Sequence, residues 1–205
     1  MLLNRFEYAL MNNPVRAAIQ RHFEARRLLR MGGAMQGGRA LEIGCGRGVG
    51  TDLIVRLFGA DEVDAFDLDP RMVARARERL SAYGSRVRVW VGDASTIDAP
   101  DATYDAVFDF GIIHHVPEWR RVVAEVHRVL KPGGRFYGEE VLRGFLDHPL
   151  TRRLFDHPQN DRFDAVTFAR ELATSGLGDV STEELWGSFA WFSARRPPLQ
   201  RAASD

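Results

Sequence analysis

The segment 40-ALEIGCGRGVGT-51 leads a short apolar run into a loop with glycine at positions 44, 46, 48 and 50. Such a run predicts a buried strand, and glycines in the loop after it let a ligand approach the backbone closely. The dinucleotide fingerprint G-x-G-x-x-G is absent, because its last glycine is replaced by Val49 when counted from Gly44 and by Thr51 when counted from Gly46. The lysine of a phosphate-binding loop is also absent.

The loop has the pattern E-x-G-x-G-x-G instead, with Glu42 as its acid. A carboxylate is a poor neighbour for a phosphate and a favourable one for an ammonium group. The loop therefore favours a ligand with a cationic end. Glycines also occur in plain tight turns, so the loop by itself leaves that alternative open.

Strand-like and helix-like patterns alternate along the chain, which indicates an α/β fold. Strands are predicted at 40–43, 63–67, 86–91, 104–110 and 134–141, and helices at 1–31, 49–58, 70–83, 118–130 and 166–175. Residues 181–186 and 189–195 predict a hairpin. The alternation predicts a parallel sheet with helices on both faces, and ligands bind such sheets at the carboxyl ends of the strands.

Two acidic residues follow predicted strands and extend the candidate site. Asp67 ends the second strand, where a carboxylate can accept hydrogen bonds from both hydroxyls of a ribose. Asp69 before Pro70 already accounts for the start of the next helix, which leaves Asp67 for a ligand. Asp93 follows the third strand, where it can accept from an adenine amino group or form an ordinary Asx turn.

Taken together, LEIGCGRG, AFDLDP, VGDA, YDAVFDFGIIHHV and VLKPGG resemble the class I S-adenosylmethionine-dependent methyltransferases, in particular their small-molecule branch of types 11 and 25. The resemblance covers about residues 38–141. It implies a Rossmann-like sheet of seven strands, six of them parallel and the last inserted antiparallel, with helices on both faces. The implied cofactor is S-adenosylmethionine, and the product is S-adenosylhomocysteine.

The resemblance also implies which residues bind the cofactor. They are Glu42, Gly44, Cys45 and Gly46 at its methionine end, Asp67 and Leu68 at the ribose and adenine, and Asp93 and Ala94 at the adenine. The chain around position 109 would approach the methionine amino group. Many relatives have a small polar residue at that position, whereas this chain has Asp109.

The length of 205 residues suits one domain with a sizeable core. Its expected parts are a helical cap (1–37), a cofactor-binding core (38–141), a substrate-covering insertion (142–163), a C-terminal helix and hairpin (164–196) and a tail (197–205). The cap, which includes Arg16, and the insertion are the segments expected to recognise the methyl acceptor.

Methyl transfer of the implied kind is an in-line displacement at a carbon whose sulfonium leaving group is already activated, so positioning supplies most of the catalysis. A general base helps when the acceptor is a hydroxyl or a protonated amine. The candidates at strand ends are His114, His115 and Glu140, with Glu139 beside it. Each has a structural alternative, as a histidine packed under the loop or a polar wall of the site.

The balance of charges helps to predict the class of methyl acceptor. Lysine and arginine total 28 and match 28 acids, which argues against a binder of long nucleic acid such as DNA. The chain after the fourth strand has DFGI in place of the motif of nucleic-acid amino-methyltransferases. We therefore expect a small-molecule acceptor, methylated on oxygen or nitrogen. A methyltransferase of protein or RNA and a non-catalytic S-adenosylmethionine-binding domain remain alternatives.

Other patterns favour neither a metal nor a membrane span. The DHP tripeptides at 147–149 and 156–158 are typical of turns that start short helices at proline, so no metal is expected. The lone Cys45 precludes an internal disulfide. Arg5 and Glu7 interrupt the apolar run that a signal peptide needs, and no stretch reaches the roughly 18 apolar residues of a membrane helix. A cytoplasmic protein is the simplest expectation.

Overall fold

One seven-stranded sheet organises residues 13–147 and 161–199, which are the residues described by the computed structural model of the chain. The strands are β1 (Arg39–Ile43), β2 (Glu62–Asp67), β3 (Val87–Val91), β4 (Tyr104–Phe110), β5 (Leu130–Val141), β6 (Gly178–Leu185) and β7 (Phe189–Arg195). Their order across the sheet is β3-β2-β1-β4-β5-β7-β6. The first five strands pair in parallel, and β7 runs antiparallel to both β5 and β6. The predicted fold, with six strands in one direction and the last inserted against them, is confirmed.

Within the described residues the helices lie where the periodicity predicts them, except for Arg143–Leu146, a short helix in a segment where no helix was predicted. They are α1 (Pro14–Ile19), α2 (Ala25–Gly32), α3 (Val49–Leu53), α4 (Pro70–Leu80), α5 (Trp119–Val129), α6 (Arg143–Leu146) and α7 (Ala165–Thr174). A π-helical turn, Gln20–Glu24, joins α1 to α2, and another, Ile54–Phe58, extends α3. Residues 1–12 of the first predicted helix lie outside the described residues. The same holds for residues 148–160, which include the second DHP tripeptide.

Two helices begin at an N-cap followed by proline, and the one at Asp69 was predicted from the sequence. Asn13 accepts a hydrogen bond from the backbone nitrogen of Arg16 at 2.8 Å, and Pro14 takes the first helical position. Asp69 caps α4 in the same way, accepting from the backbone nitrogen of Arg71 at 2.9 Å. An N-cap contributes about 1 kcal/mol and, more important here, fixes where the loop before the helix ends.

Both faces of the sheet are buried. Neighbouring residues of β4 point to opposite sides, so Val107 packs with α5 and α7 while Phe108 packs with α2 and α3. Each fully buried side chain of this size contributes about 1.5–3 kcal/mol. The central strands are thereby held on both sides, and the loops at their carboxyl ends have a fixed base.

No group of three or more histidine, cysteine, aspartate or glutamate side chains within 13–147 and 161–199 is arranged to hold a metal ion. None of the helices in these ranges has the length and apolar character needed to cross a bilayer.

Candidate active site

A cavity of about 480 Å³ opens at the carboxyl ends of β1, β2, β3 and β4. β1 and β4 are neighbours, and the chain continues from them to opposite sides of the sheet, which is the switch point where ligands bind in such folds. The predicted cofactor residues that line the cavity are Glu42, Gly44, Cys45, Gly46, Asp67, Leu68, Asp93 and Ala94. Asp109 is the predicted cofactor residue that does not line it.

The glycine loop needs its glycines at two positions for steric reasons. Gly44 has φ +69° and Gly46 has φ +52°, in the left-handed region that other residues rarely adopt. A Cβ atom on Gly44 would also overlap the side chain of Ile112. The loop therefore turns tightly and leaves the space above it open.

Asp67 links the glycine loop to the end of β2. One carboxylate oxygen accepts from the backbone nitrogen of Gly46 at 2.8 Å, and the other accepts from that of Asp69 at 2.8 Å. A carboxylate offers about four acceptor positions, so each oxygen can accept one further hydrogen bond from a ligand in the cavity. Burial raises the pKa of Asp67, and the two backbone donors oppose that shift.

Glu42 lies under the loop with only 1% of its surface exposed. Its carboxyl accepts from the hydroxyl of Thr51, a partner that nothing in the sequence pattern indicates. Burial raises the pKa of Glu42 to about 8, although the Thr51 hydrogen bond opposes the shift. Glu42 is therefore mostly protonated at neutral pH in the ligand-free site.

Asp93 forms an Asx turn, which the sequence allowed as the alternative to a contact with adenine. Its Oδ1 accepts from the backbone nitrogen of Ser95 at 2.8 Å and from the Ser95 hydroxyl at 2.7 Å. These hydrogen bonds lower the pKa of Asp93. Asp93 still lines the cavity, so the turn places the carboxylate at the site and does not divert it elsewhere.

The three predicted catalytic residues differ in whether they reach the cavity. Glu140 is fully buried, accepts from the backbone nitrogen of Ile113 at 2.7 Å and pairs with His114 Nδ1 at 2.5 Å. Asp109 is also fully buried and accepts from the backbone nitrogen of Ile112 at 2.9 Å. None of Asp109, His114 and Glu140 lines the cavity. These three residues instead support the loop after β4 from below.

Asp109 and Glu140 are two buried acids whose ionisation is disfavoured. Burial raises the pKa of both Asp109 and Glu140. The negative charge of Glu140 raises the pKa of Asp109 further. Glu140 accepts from the backbone nitrogens of Ile113 and His114 and pairs with the His114 ring, which holds the loop after β4 in place.

His115 takes a different position from its neighbour. Its ring lies 4.2 Å from that of His114, centroid to centroid, yet His115 lines the cavity. The two residues share a short 3₁₀ turn, Ile113–His115, in which successive side chains point about 120° apart. Of the three predicted catalytic residues, His115 alone reaches the cavity.

The helical cap supplies one wall of the cavity through Arg16 in α1 and Gln20 in the π-helical turn. Arg16 forms ion pairs with Glu24 and, at 3.5 Å, with Glu139 of β5. Burial raises the pKa of Glu139, and the neighbouring Arg16 opposes the shift. The sequence shows these residues as isolated charges and gives no signal that they pair. Their pairing fixes the cap to the sheet beside the site.

Residues 40–134 match the family described as "Methyltransferase domain". This segment contains the glycine loop, Asp67, Asp93 and the histidine pair. Residues 40–134 belong to the class I S-adenosylmethionine-dependent methyltransferases. The cofactor of this family is S-adenosylmethionine, as the resemblance implied.

Relatives of known name support the assignment of the methyltransferase domain. A probable S-adenosylmethionine-dependent methyltransferase of Mycolicibacterium smegmatis is 40% identical over 96 residues, which are 47% of this chain and 35% of that protein. The 2-methyl-6-phytyl-1,4-hydroquinone methyltransferase of Synechocystis sp. is 27% identical over 179 residues, which are 78% of this chain and 56% of that protein. The chain thus spans about a third to a half of the length of these curated relatives.

The fold of the methyltransferase domain is also found among solved structures. The putative methyltransferase of Haloferax volcanii, solved in complex with the Trm112 methyltransferase activator, matches with a TM-score of 0.74. The match covers 95% of this chain and 99% of that chain at 18% identity. At this identity the likeness concerns the fold.

Proposed function

We propose that the protein transfers the methyl group of S-adenosylmethionine to a small-molecule acceptor, on oxygen or nitrogen, by in-line displacement. The observation that carries the proposal is the convergence of Glu42, Asp67 and Asp93 on one cavity around the glycine loop. The three acids lie at the carboxyl ends of three different strands and would hold three different parts of one elongated ligand. A plain tight turn at the glycines would not require that convergence.

The cofactor would lie along the carboxyl ends of the strands. Glu42 and the loop of Gly44 and Gly46 would hold the methionine end, and Asp67 would accept from the ribose hydroxyls. Asp93 would accept from the adenine amino group. Leu68, which is 45% exposed, would cover the adenine face and lose that exposure on binding.

The acceptor would enter between the cap and the loop after β4. That end of the cavity is lined by apolar side chains, Phe110, Ile112 and Val116, together with His115. An acceptor with an apolar body and one nucleophilic atom fits such a wall. The hydroquinone in the name of the Synechocystis relative combines an apolar body with nucleophilic hydroxyl groups, which supports a lipophilic or aromatic acceptor here.

His115 is the residue we assign as general base. As the acceptor atom attacks, its bond to the methyl carbon forms while the carbon–sulfur bond breaks, and the electron pair stays on sulfur. The acceptor proton would pass to the His115 imidazole. Glu140, His114 and Asp109 would position the loop that carries His115 and would not touch the reacting atoms.

The binding of S-adenosylhomocysteine is expected to depend on pH through Glu42. The ligand-free carboxyl has its pKa raised to about 8 by burial, and a ligand ammonium would favour the ionised form and lower that pKa in the complex. Binding at neutral pH then releases a proton, so affinity rises by up to about tenfold per pH unit towards pH 8 and levels off above it.

Isothermal titration calorimetry in buffers of different ionisation enthalpy measures this proton release. Glu42→Gln should remove it, whereas Glu62→Gln, an exposed acid at the start of β2, should leave it intact. Proton uptake, or an affinity that does not change between pH 6 and pH 8, would show that Glu42 does not face the ammonium group.

Transfer of a labelled methyl group identifies the class of acceptor. The protein is incubated with methyl-labelled S-adenosylmethionine and cell extract separated into lipid, small polar, protein and RNA fractions. Label in a low-mass compound, absent with Asp67→Ala, is the expected result. Label in protein or RNA alone would establish the macromolecular alternative. Cofactor binding without any labelled product would favour a non-catalytic binding domain.

A further inference from the structure

The outer face of the helical cap is unusual for a surface helix. Val15, Ile19 and Phe23 are spaced four residues apart and are 67%, 45% and 47% exposed. This spacing puts them in one row along the helix. Apolar rows normally face the core, whereas Val15 and Ile19 face outward. Phe23 continues the row with about half of its surface exposed, while its ring packs edge-on against Trp191 of β7 at 5.6 Å.

The charges of the cap are almost all positive. Residues 14–32 contain five arginines and one acid, Glu24, which is buried against Arg16. Arg26 and Arg30 are exposed beyond the apolar row, and half of the Arg21 side chain is exposed. Within residues 13–37, the described part of the cap, the outer face therefore combines apolar side chains with positive charge and presents no acid.

We propose that this face docks on the surface of an anionic lipid bilayer. Basic amphipathic helices bind such surfaces by inserting their apolar row among the lipid chains while arginines contact the headgroups. A second copy of the chain fits less well, because two such faces would oppose like charges. Three apolar side chains also fall short of the roughly 800 Å² per partner that a stable interface buries.

A second exposed aromatic residue lies at the same edge of the sheet. Trp186, in the turn between β6 and β7, is 88% exposed. The turn lies at the carboxyl edge because Phe189, which follows it, pairs with Val141 at the end of β5. Tryptophan is favoured at the boundary between lipid and water. We expect Trp186 to reinforce docking.

The docking face is continuous with the candidate active site. Arg16 and Gln20 line the cavity from the inner side of the same helical segment that carries Val15 and Ile19 outward. Docking would therefore bring the cavity mouth to the lipid surface, where a lipophilic acceptor is concentrated. Vesicle binding itself needs neither cofactor nor methyl transfer, so it can fail or succeed independently of the proposed function.

Cosedimentation of the full chain with vesicles tests the inference. We expect binding to phosphatidylcholine vesicles that contain phosphatidylglycerol, and at least tenfold weaker binding to phosphatidylcholine alone or at high salt. Arg26→Glu with Arg30→Glu should weaken binding at least tenfold, since each arginine near an anionic surface contributes about fivefold. The double variant Val15→Ser with Ile19→Ser should also weaken vesicle binding, and so should the single variant Trp186→Ser.

The chain provides a matched control on α7. Val166 is 66% exposed and Arg170 is exposed on the same helix, so Val166→Ser with Arg170→Glu makes one change of each kind elsewhere on the surface and should leave binding unchanged. Absence of binding to the anionic vesicles would overturn the proposal, as would variants of the α1 and α2 residues that bind like the control. A dimer in light scattering that Val15→Ser with Ile19→Ser dissociates would assign the face to a second copy instead.

Discussion

Asp67→Ala is expected to lower the affinity for S-adenosylhomocysteine by roughly a hundredfold. Hydrogen bonds to an ionised group contribute about 1.5–3 kcal/mol each, and two ribose hydroxyls would lose their acceptor. About 3 kcal/mol corresponds to slightly more than a hundredfold in the dissociation constant. Loss of the hydrogen bond from the Gly46 backbone nitrogen would also loosen the glycine loop. Calorimetric titration measures the affinity directly.

Asp61→Ala separates these two effects. Asp61 also accepts from the backbone nitrogen of a loop glycine, Gly38, at 2.9 Å, but it does not line the cavity. Both variants should lower the melting temperature of the ligand-free protein by a few degrees. Only Asp67→Ala should lose affinity for the ligand. Equal affinities in the two variants would remove Asp67 from the ribose site.

His115→Gln is expected to lower kcat by about 10²–10⁴ once the acceptor has been identified, because a positioned general base contributes a factor of this size. The affinity for S-adenosylhomocysteine should change by less than a few fold, since His115 lies on the acceptor side of the cavity. The measurement is steady-state methyl transfer at saturating cofactor, with kcat and KM determined separately.

His127→Gln provides the control for the loss of a histidine as such. His127 lies on α5, where its ring is close to Gly176, and it does not line the cavity. Its replacement should leave kcat unchanged. A kcat of His115→Gln within threefold of the parent value would show that no general base is needed and that positioning is sufficient for methyl transfer. The acceptor would then be one that attacks the methyl group without losing a proton.

The convergence of the predicted cofactor residues on one cavity followed from the sequence because it depends on topology. Glu42, Asp67 and Asp93 lie at the ends of three predicted strands, and parallel strands bring their carboxyl ends to one edge. Once the alternation of strands and helices was recognised, the three acids had to lie near one another. The hairpin of β6 and β7 was visible for a similar reason, since two alternating segments were separated by a two-residue turn.

The orientation of single side chains in the loop after β4 did not follow from the sequence. His114 and His115 are chemically identical neighbours, and only the phase of the 3₁₀ turn decides which one faces the cavity. Glu139 and Glu140 must point to opposite faces of β5, but the pattern does not say which face holds which partner. Asp109 was placed near the cofactor by resemblance, whereas the structure buries it against Glu140.

The contacts of the helical cap were also not predictable from the sequence. Its inward residues form a pattern that predicts a helix, yet the ion pairs of Arg16 with Glu24 and Glu139 depend on contacts between distant parts of the chain. The outward row of Val15, Ile19 and Phe23 is indistinguishable from a core-facing row in the sequence. Only the structure shows that the side chains of this row are exposed, and this exposure is the basis for proposing a docking surface.

The central claim is that the cavity above the glycine loop holds S-adenosylmethionine. Calorimetric titration of the protein with S-adenosylhomocysteine and, separately, with NAD tests it most directly. We predict saturable binding of one S-adenosylhomocysteine per chain, a matching rise in melting temperature, and no heat or stabilisation with NAD. Binding of NAD at comparable affinity, or the absence of S-adenosylhomocysteine binding by the folded protein, would contradict the account.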